Sequence, residues 1–148
     1  MLTRNETVDR LSYICKIDID AVDAYTQVIK NIDEEDQEIA ERLKQYRVDH
    51  ERHILVLTDL IKNMGENPPE RSKNFTGFTI EGFTLVSSLS GTEGAFRAME
   101  TNEKLTNERY DDARKWDLNP EIVGIMEEFY SDEKTHLTYI RDILDTIG

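Results

Sequence analysis

His50-Glu51-Arg52-His53 and Glu133-Lys134-Thr135-His136 decide the fold of this chain, because each places two ionisable side chains three residues apart. On a helix, positions i and i+3 share a face. Apolar residues extend both faces outward: Ile39, Leu43 and Tyr46 precede His50 and His53, and Leu57, Leu60 and Met64 follow them. Around Glu133 and His136 the corresponding residues are Ile122, Met126, Phe129, Ile140, Ile143 and Ile147. Each member of the second run stands 83 positions after its counterpart in the first. One helix is written twice, and both copies point their ionisable pair inward.

Thr3 and Glu6 form a capping box that opens a first helix, reaching about Ile32. Its stripe is Leu11, Ile14, Asp18, Ala21, Tyr25, Val28 and Ile32, a 3-4 alternation in which a carboxylate and a phenol replace two hydrophobes. Asp20 and Asp23 fall off that stripe. The acidic connector Asp33-Glu34-Glu35-Asp36 suits the positive end of a second helix, which runs to about Met64.

A break follows, from Gly65 through Pro68-Pro69 to Gly77, where two prolines and polar residues stop the helix and supply an extended connection. A third helix begins near Phe78 or Ile80 and reaches about Trp116, with Phe83, Val86, Leu89, Glu93, Phe96, Glu100, Glu103, Asn107 and Tyr110 near one face. Gly82, Gly91 and Gly94 weaken its first half. Asn119-Pro120-Glu121 supplies an N-cap, a first-turn proline and an acid for the fourth helix. Tyr25 follows Asp18 by seven residues and Tyr110 follows Glu103 by seven, so the first and third helices echo each other too. The reading is one all-α domain over 1–148: two helix hairpins, about 3–64 and 78–148, related by a pseudo-twofold and joined by a crossover at about 65–77.

A chain of 148 residues buries roughly two-thirds of its unfolded surface, enough for a true core. No apolar run approaches the ~20 residues of a membrane span. The start Met1-Leu2-Thr3-Arg4-Asn5-Glu6 has no signal-peptide core, so the expected compartment is the cytoplasm. Asn74-Phe75-Thr76 fits a glycosylation sequon, which has little meaning without secretion. The single cysteine, Cys15, excludes an intrachain disulfide framework and a four-cysteine metal site. With 31 acidic against 18 basic residues the net charge is −13, which repels nucleic acid and anionic membranes and mildly concentrates cations.

The inward polar residues are Asp18, His50, His53, Glu103, Glu133 and His136, with Glu100 one turn before Glu103. A lone core histidine is more often hydrogen-bonded structure than ligand, but all three histidines here lie on inward stripes at matching levels. Buried without partners, each ionised group would cost several kcal/mol or have to neutralise. A bound cation offsets that, and carboxylates with imidazoles at one level suit a pair of iron or manganese ions. Asp49 and Glu51 flank the stripe and read as surface groups or as supports for a ligand.

The pattern resembles the ferritin-like di-iron carboxylate superfamily, which includes rubrerythrins and bacterioferritins, over essentially the whole chain. That family carries a Glu on each of two helices and Glu-x-x-His on each of the others. Glu133-x-x-His136 matches, Glu103 with Tyr110 matches, Asp18 with Tyr25 matches with a shorter acid, and His50-x-x-His53 departs at its first residue. Glu100 is similar to the additional carboxylate of rubrerythrins and stands 33 before Glu133, a family spacing, so it competes with Glu103 for one role. In the family the Glu of each motif bridges two ions, and a histidine cannot bridge in that way.

The resemblance therefore implies Glu133 as the one bridging carboxylate, Asp18 and Glu103 as terminal ligands, and His50, His53 and His136 as nitrogen donors. A mononuclear site, or a metal other than iron, stays open. Tyr25 and Tyr110 take either a redox role or, as phenols, hydrogen-bond a ligand carboxylate.

The fold so implied is a ferritin-like antiparallel four-helix bundle with one long crossover between helices two and three. The implied function is a non-haem di-iron oxidoreductase, ferroxidase- or peroxidase-like, whose reduced ions meet oxygen or peroxide. Lacking a cysteine-rich rubredoxin module, the chain needs an external electron donor. A sequence that stops at Gly148 directly after helix four is not expected to build a closed storage shell, and a homodimer is the family expectation. The alternative is a non-catalytic structural, stress-related or interaction bundle with a degenerate or mononuclear metal site.

Overall fold

A computed structural model describes residues 1–71 and 91–147. α1 spans Arg4–Ile29 and opens as its sequence dictates: the Thr3 hydroxyl accepts from the Glu6 amide at 3.1 Å, and the Glu6 carboxylate accepts from the Thr3 amide at 3.0 Å. Glu34–Asp36 form a short 3₁₀ turn that leads into α2, Gln37–Asn63. Gly65 follows with φ +79°, a conformation that favours glycine. α3 spans Gly91–Ala113 and α4 spans Pro120–Ile147, the latter capped by the Asn119 side chain accepting from the Ile122 amide at 3.0 Å.

Contacts between helix ends fix the topology. The Arg4 guanidinium donates to the Met64 carbonyl, so α1 begins where α2 ends. Asp33 and Thr92 exchange hydrogen bonds, Asp33 amide to Thr92 hydroxyl and Thr92 amide to Asp33 carboxylate, both at 3.2 Å. At the opposite end the Leu2 amide donates to the Asp117 carbonyl at 3.0 Å. α3 is thus antiparallel to α1 and parallel to α2, and the connection between α2 and α3 has to return from one end of the bundle to the other. This is a ferritin-like four-helix bundle with one crossover.

The core is two apolar clusters separated by a polar layer. One cluster, at the Asp33 end, joins Val28, Leu43, Phe96, Met99 and Ile140. The other, at the Arg4 end, joins Leu11, Ile14, Leu57, Ile61, Met126 and Phe129. Every residue of the stripe expected on α1, from Leu11 to Ile32, is buried. On α2 and α4 the expected stripe holds in the middle and drifts at its ends. Ala40, Ile54, Ile61 and Leu144 are buried, whereas Ile39, Leu60, Met64 and Ile143 are only partly covered and Ile147 is exposed. A strict 3-4 repeat averages 3.5 residues per turn, and a straight helix of 3.6 rotates away from it by about 20° per heptad.

Other boundaries also differ. α1 stops at Ile29 rather than Ile32, and α3 stops at Ala113, with Trp116 bonding back to the Ala113 carbonyl in a turn. Glu93 lies one position off the α3 core stripe and pairs with Arg97 at the surface. The expected start of the third helix, with Phe83, Val86, Leu89 and Gly82, lies outside the described residues, as do the Asn74-Phe75-Thr76 sequon and the crossover from 72 on. Among the described residues no helix is long and apolar enough to cross a membrane.

This register makes a simple contrast on α2, where Leu57 is fully buried and Leu55 is 67% exposed. Leu57→Ala should destabilise the fold by about 2–5 kcal/mol in denaturant unfolding, and Leu55→Ala by less than about 0.5 kcal/mol. Equal effects would mean that the helix is rotated from the orientation described here.

Candidate metal centre

Asp18 on α1, His50 and His53 on α2, Glu103 on α3, and Glu133 and His136 on α4 meet in the polar layer, each at 0% exposure. Their donor atoms sort into two quartets. Asp18, His50, His53 and Glu133 offer atoms within 4.8 Å of one another, as do His50, Glu103, Glu133 and His136. Glu133 serves both: its Oε1 lies 3.4 Å from His53 Nδ1 and its Oε2 3.3 Å from His136 Nδ1. Asp18 Oδ1 lies 2.7 Å from His50 Nδ1 and 3.2 Å from His53 Nδ1. Glu103 Oε1 lies 3.1 Å from His50 Nε2 and 3.5 Å from His136 Nδ1.

A second layer holds these side chains. The Tyr25 hydroxyl donates to Glu103 Oε1 at 2.6 Å, and the Tyr110 hydroxyl donates to Asp18 Oδ2. Burial first, and then the adjacent carboxylate, pushes both phenols well above their ordinary range, so they remain protonated donors. The outward nitrogens of two imidazoles are also engaged, His53 Nε2 by Asp132 and His136 Nε2 by Asp49, each at 2.8 Å. A carboxylate on the far nitrogen fixes the ring and leaves Nδ1 free to bind.

Sequence reasoning missed Asp132, yet the signal was there: it lies 83 residues after Asp49, on the same repeat as the ligand pairs. Thr106 was missed as well; its hydroxyl stands 3.0 Å from Glu103 Oε2 and 3.2 Å from Glu133 Oε2. The Asn107 amide donates to the main-chain carbonyls of Glu103 and Glu133, tying α3 to α4 at this level.

The two halves differ outside the layer. Arg52 donates to Asp132 and lies 5.5 Å above the Phe129 ring, so it covers the outer side of His53. Its counterpart in the repeat is Thr135, which carries no charge to set beside Asp49. Of the two competing acids on α3, Glu103 joins the cluster. Glu100 sits one turn away with its side chain 39% exposed, facing Arg141 at 3.4 Å.

Three carboxylates and three imidazoles share a layer that water does not reach. Burial alone would push the imidazoles down, but the carboxylates outweigh it. Glu133 and Asp18 help raise His50 to about 9, Asp18 and Asp132 help raise His53 to about 11, and Glu103 with Glu133 holds His136 well above its usual value. Burial likewise opposes ionisation of Asp18 and Glu103, yet the facing imidazoles hold both below the usual carboxylate range. The layer therefore attracts positive charge strongly.

Protons do not use all of its capacity. Among the described residues Glu133 Oε1 and His136 Nδ1 are buried and make no aligned hydrogen bond, although each lies within ion-pair distance of a facing imidazole or carboxylate. Donors bound to one ion at about 2 Å stand roughly 3–3.5 Å apart, close to the spacings within each quartet. Mixed imidazole and carboxylate donors suit iron, manganese or zinc, so the residues fit a bound metal.

Relatives agree with this architecture. A ferritin-like, diiron-carboxylate protein from Bacillus anthracis str. Ames superposes with a TM-score of 0.76 at 18% identity, covering 97% of this chain and 99% of that one. The bacterioferritin of Desulfovibrio desulfuricans, whose solved structure describes a diiron site, superposes with a TM-score of 0.59, also at 18% identity, covering 99% of this chain and 85% of the other. No curated protein is significantly similar in sequence. The model of the family described as domain of unknown function (DUF2383) matches residues 6–116, and the chain belongs to this ferritin-like family.

Proposed function

We propose that this protein binds a pair of iron ions in the polar layer and that the reduced pair reacts with oxygen or peroxide. The observation that carries the reading is the double quartet: two sets of buried donors that share His50 and Glu133. A structural polar core would align hydrogen bonds to its own atoms, whereas among the described residues Glu133 Oε1 and His136 Nδ1 make none. The diiron descriptions of both solved relatives point the same way.

In this reading Asp18 and His53 would help hold one ion, Glu103 and His136 the other, and Glu133, which belongs to both quartets, would contribute to each. When bound, the ions supply electron transfer to the oxidant. The chain supplies the rest. Tyr25 and Tyr110 pin the terminal carboxylates by donating hydrogen bonds, which makes them positioning residues. Asp49 and Asp132 keep the outer imidazole nitrogens protonated, and the apolar clusters on either side exclude water. Electrons would come from an external donor, and a homodimer in the cytoplasm is the setting this family likeness suggests.

Anaerobic addition of ferrous iron followed by elemental analysis should give about two irons per chain. Exposure to oxygen or peroxide should then raise a near-ultraviolet absorbance of ferric iron. Binding without any oxidation would favour the non-catalytic alternative, and absence of binding would end the proposal.

Acidity provides a second check. In chelator-treated protein the stability contributed by His50 and His53 is fully present below their ordinary value of 6.5 and is lost as pH rises through about 9 and 11. Metal competes with those same protons. The gain in melting temperature on adding metal should therefore be small at pH 5 and grow towards pH 8. A gain of equal size at both would argue against imidazole ligation.

A further inference from the structure

His50 differs from the other two histidines in how it uses its ring. His53 and His136 each turn only Nδ1 inward, because Asp132 and Asp49 occupy their Nε2 atoms. Among the described residues no outer carboxylate engages His50. Its Nδ1 faces Asp18 Oδ1 at 2.7 Å, in the first quartet. Its Nε2 faces Glu103 Oε1 at 3.1 Å and Glu133 Oε2 at 3.5 Å, in the second. The ring thus stands between the two quartets with Nδ1 towards Asp18 and Nε2 towards Glu103, and Glu133 stands there in the same way, Oε1 beside His53 and Oε2 beside His136.

We infer that His50 is a bridging ligand, binding one metal ion through Nδ1 and the other through Nε2, in the place that the repeat gives to a second bridging carboxylate. The inference rests on the proposed two-ion centre and adds how the two ions are joined. Two nitrogens can hold two ions only if the ring gives up both N–H protons. Each ion takes a nitrogen lone pair, and each proton leaves to solvent, so the bridge is an imidazolate and no oxidant or reductant is consumed.

The consequence is geometric. Carboxylate-bridged pairs stand roughly 3.5–4 Å apart. Metal–nitrogen bonds of about 2 Å that diverge from opposite sides of one ring set the ions about 5–6 Å apart. A small bridging oxide no longer fits between them, and the ring becomes the path of electronic contact. His50 would then make this centre unlike a carboxylate-bridged one while leaving its capacity at two ions.

X-ray absorption on the anaerobic ferrous protein tests this directly. With about two irons bound per chain, the wild type should show no iron–iron vector at about 3.5–4 Å, and His50→Glu should restore one. Cobalt(II) loading of the unsubstituted chain gives an independent readout if that variant fails to fold. Only His53 and His136 should contribute hyperfine-shifted exchangeable N–H resonances, which makes two. A short vector in the wild type, or a third N–H resonance, would overturn the bridge and leave the two-ion centre standing. Binding of fewer than two ions would overturn both.

Discussion

Six ionisable side chains, three carboxylates and three imidazoles, lie in one layer of a bundle core with no exposure to solvent, and the architecture follows from holding them there. Burial opposes every charge in the layer, so no single group is tolerable alone. Together they offset one another: the carboxylates raise the imidazoles above their ordinary value, and the imidazoles hold Asp18 and Glu103 below theirs. Balance by protons leaves two donor atoms of the layer without an aligned hydrogen bond among the described residues, whereas metal ions would use them. Apolar clusters above and below exclude water and keep these interactions strong.

The second organising fact is a repeat that has diverged at selected positions. Supporting groups survive in both halves: Tyr25 and Tyr110 on the terminal acids, Asp49 and Asp132 on the outer nitrogens. Asp49 and Asp132 each reach across to the histidine of the other copy, so α2 and α4 are cross-tied at the level of the layer. The differences lie at Asp18 against Glu103, Arg52 against Thr135, and His50 against Glu133. The first shortens one buried acid, and the second covers one outer carboxylate with a guanidinium. The third changes what stands between the two half-sites.

Much of this was legible in the sequence. The inward stripe of α1 could be read residue by residue, because a 3-4 alternation with a capping box leaves little freedom in register. The level of the buried polar layer was legible because both copies placed their polar pair at the same distance from flanking hydrophobes. Stripe ends were not, since helical drift accumulates away from the centre and moved burial from Ile39 to Ala40 and from Ile147 to Leu144. The choice between Glu100 and Glu103 was also beyond it. Both spacings are reasonable on a helix, and only packing against α4 turns Glu100 out to Arg141. Asp132 and Thr106 act through contacts between helices, which one-dimensional periodicity records only faintly.

On the proposed function this layer holds two cations, one in each quartet. Anomalous diffraction at the iron edge from crystals loaded anaerobically with ferrous iron tests it most directly. Two peaks are expected, one among Asp18, His53 and Glu133 and one among Glu103, His136 and Glu133, with the His50 ring between them. Peaks confined to the exposed acidic surface, with none in the layer, would contradict it.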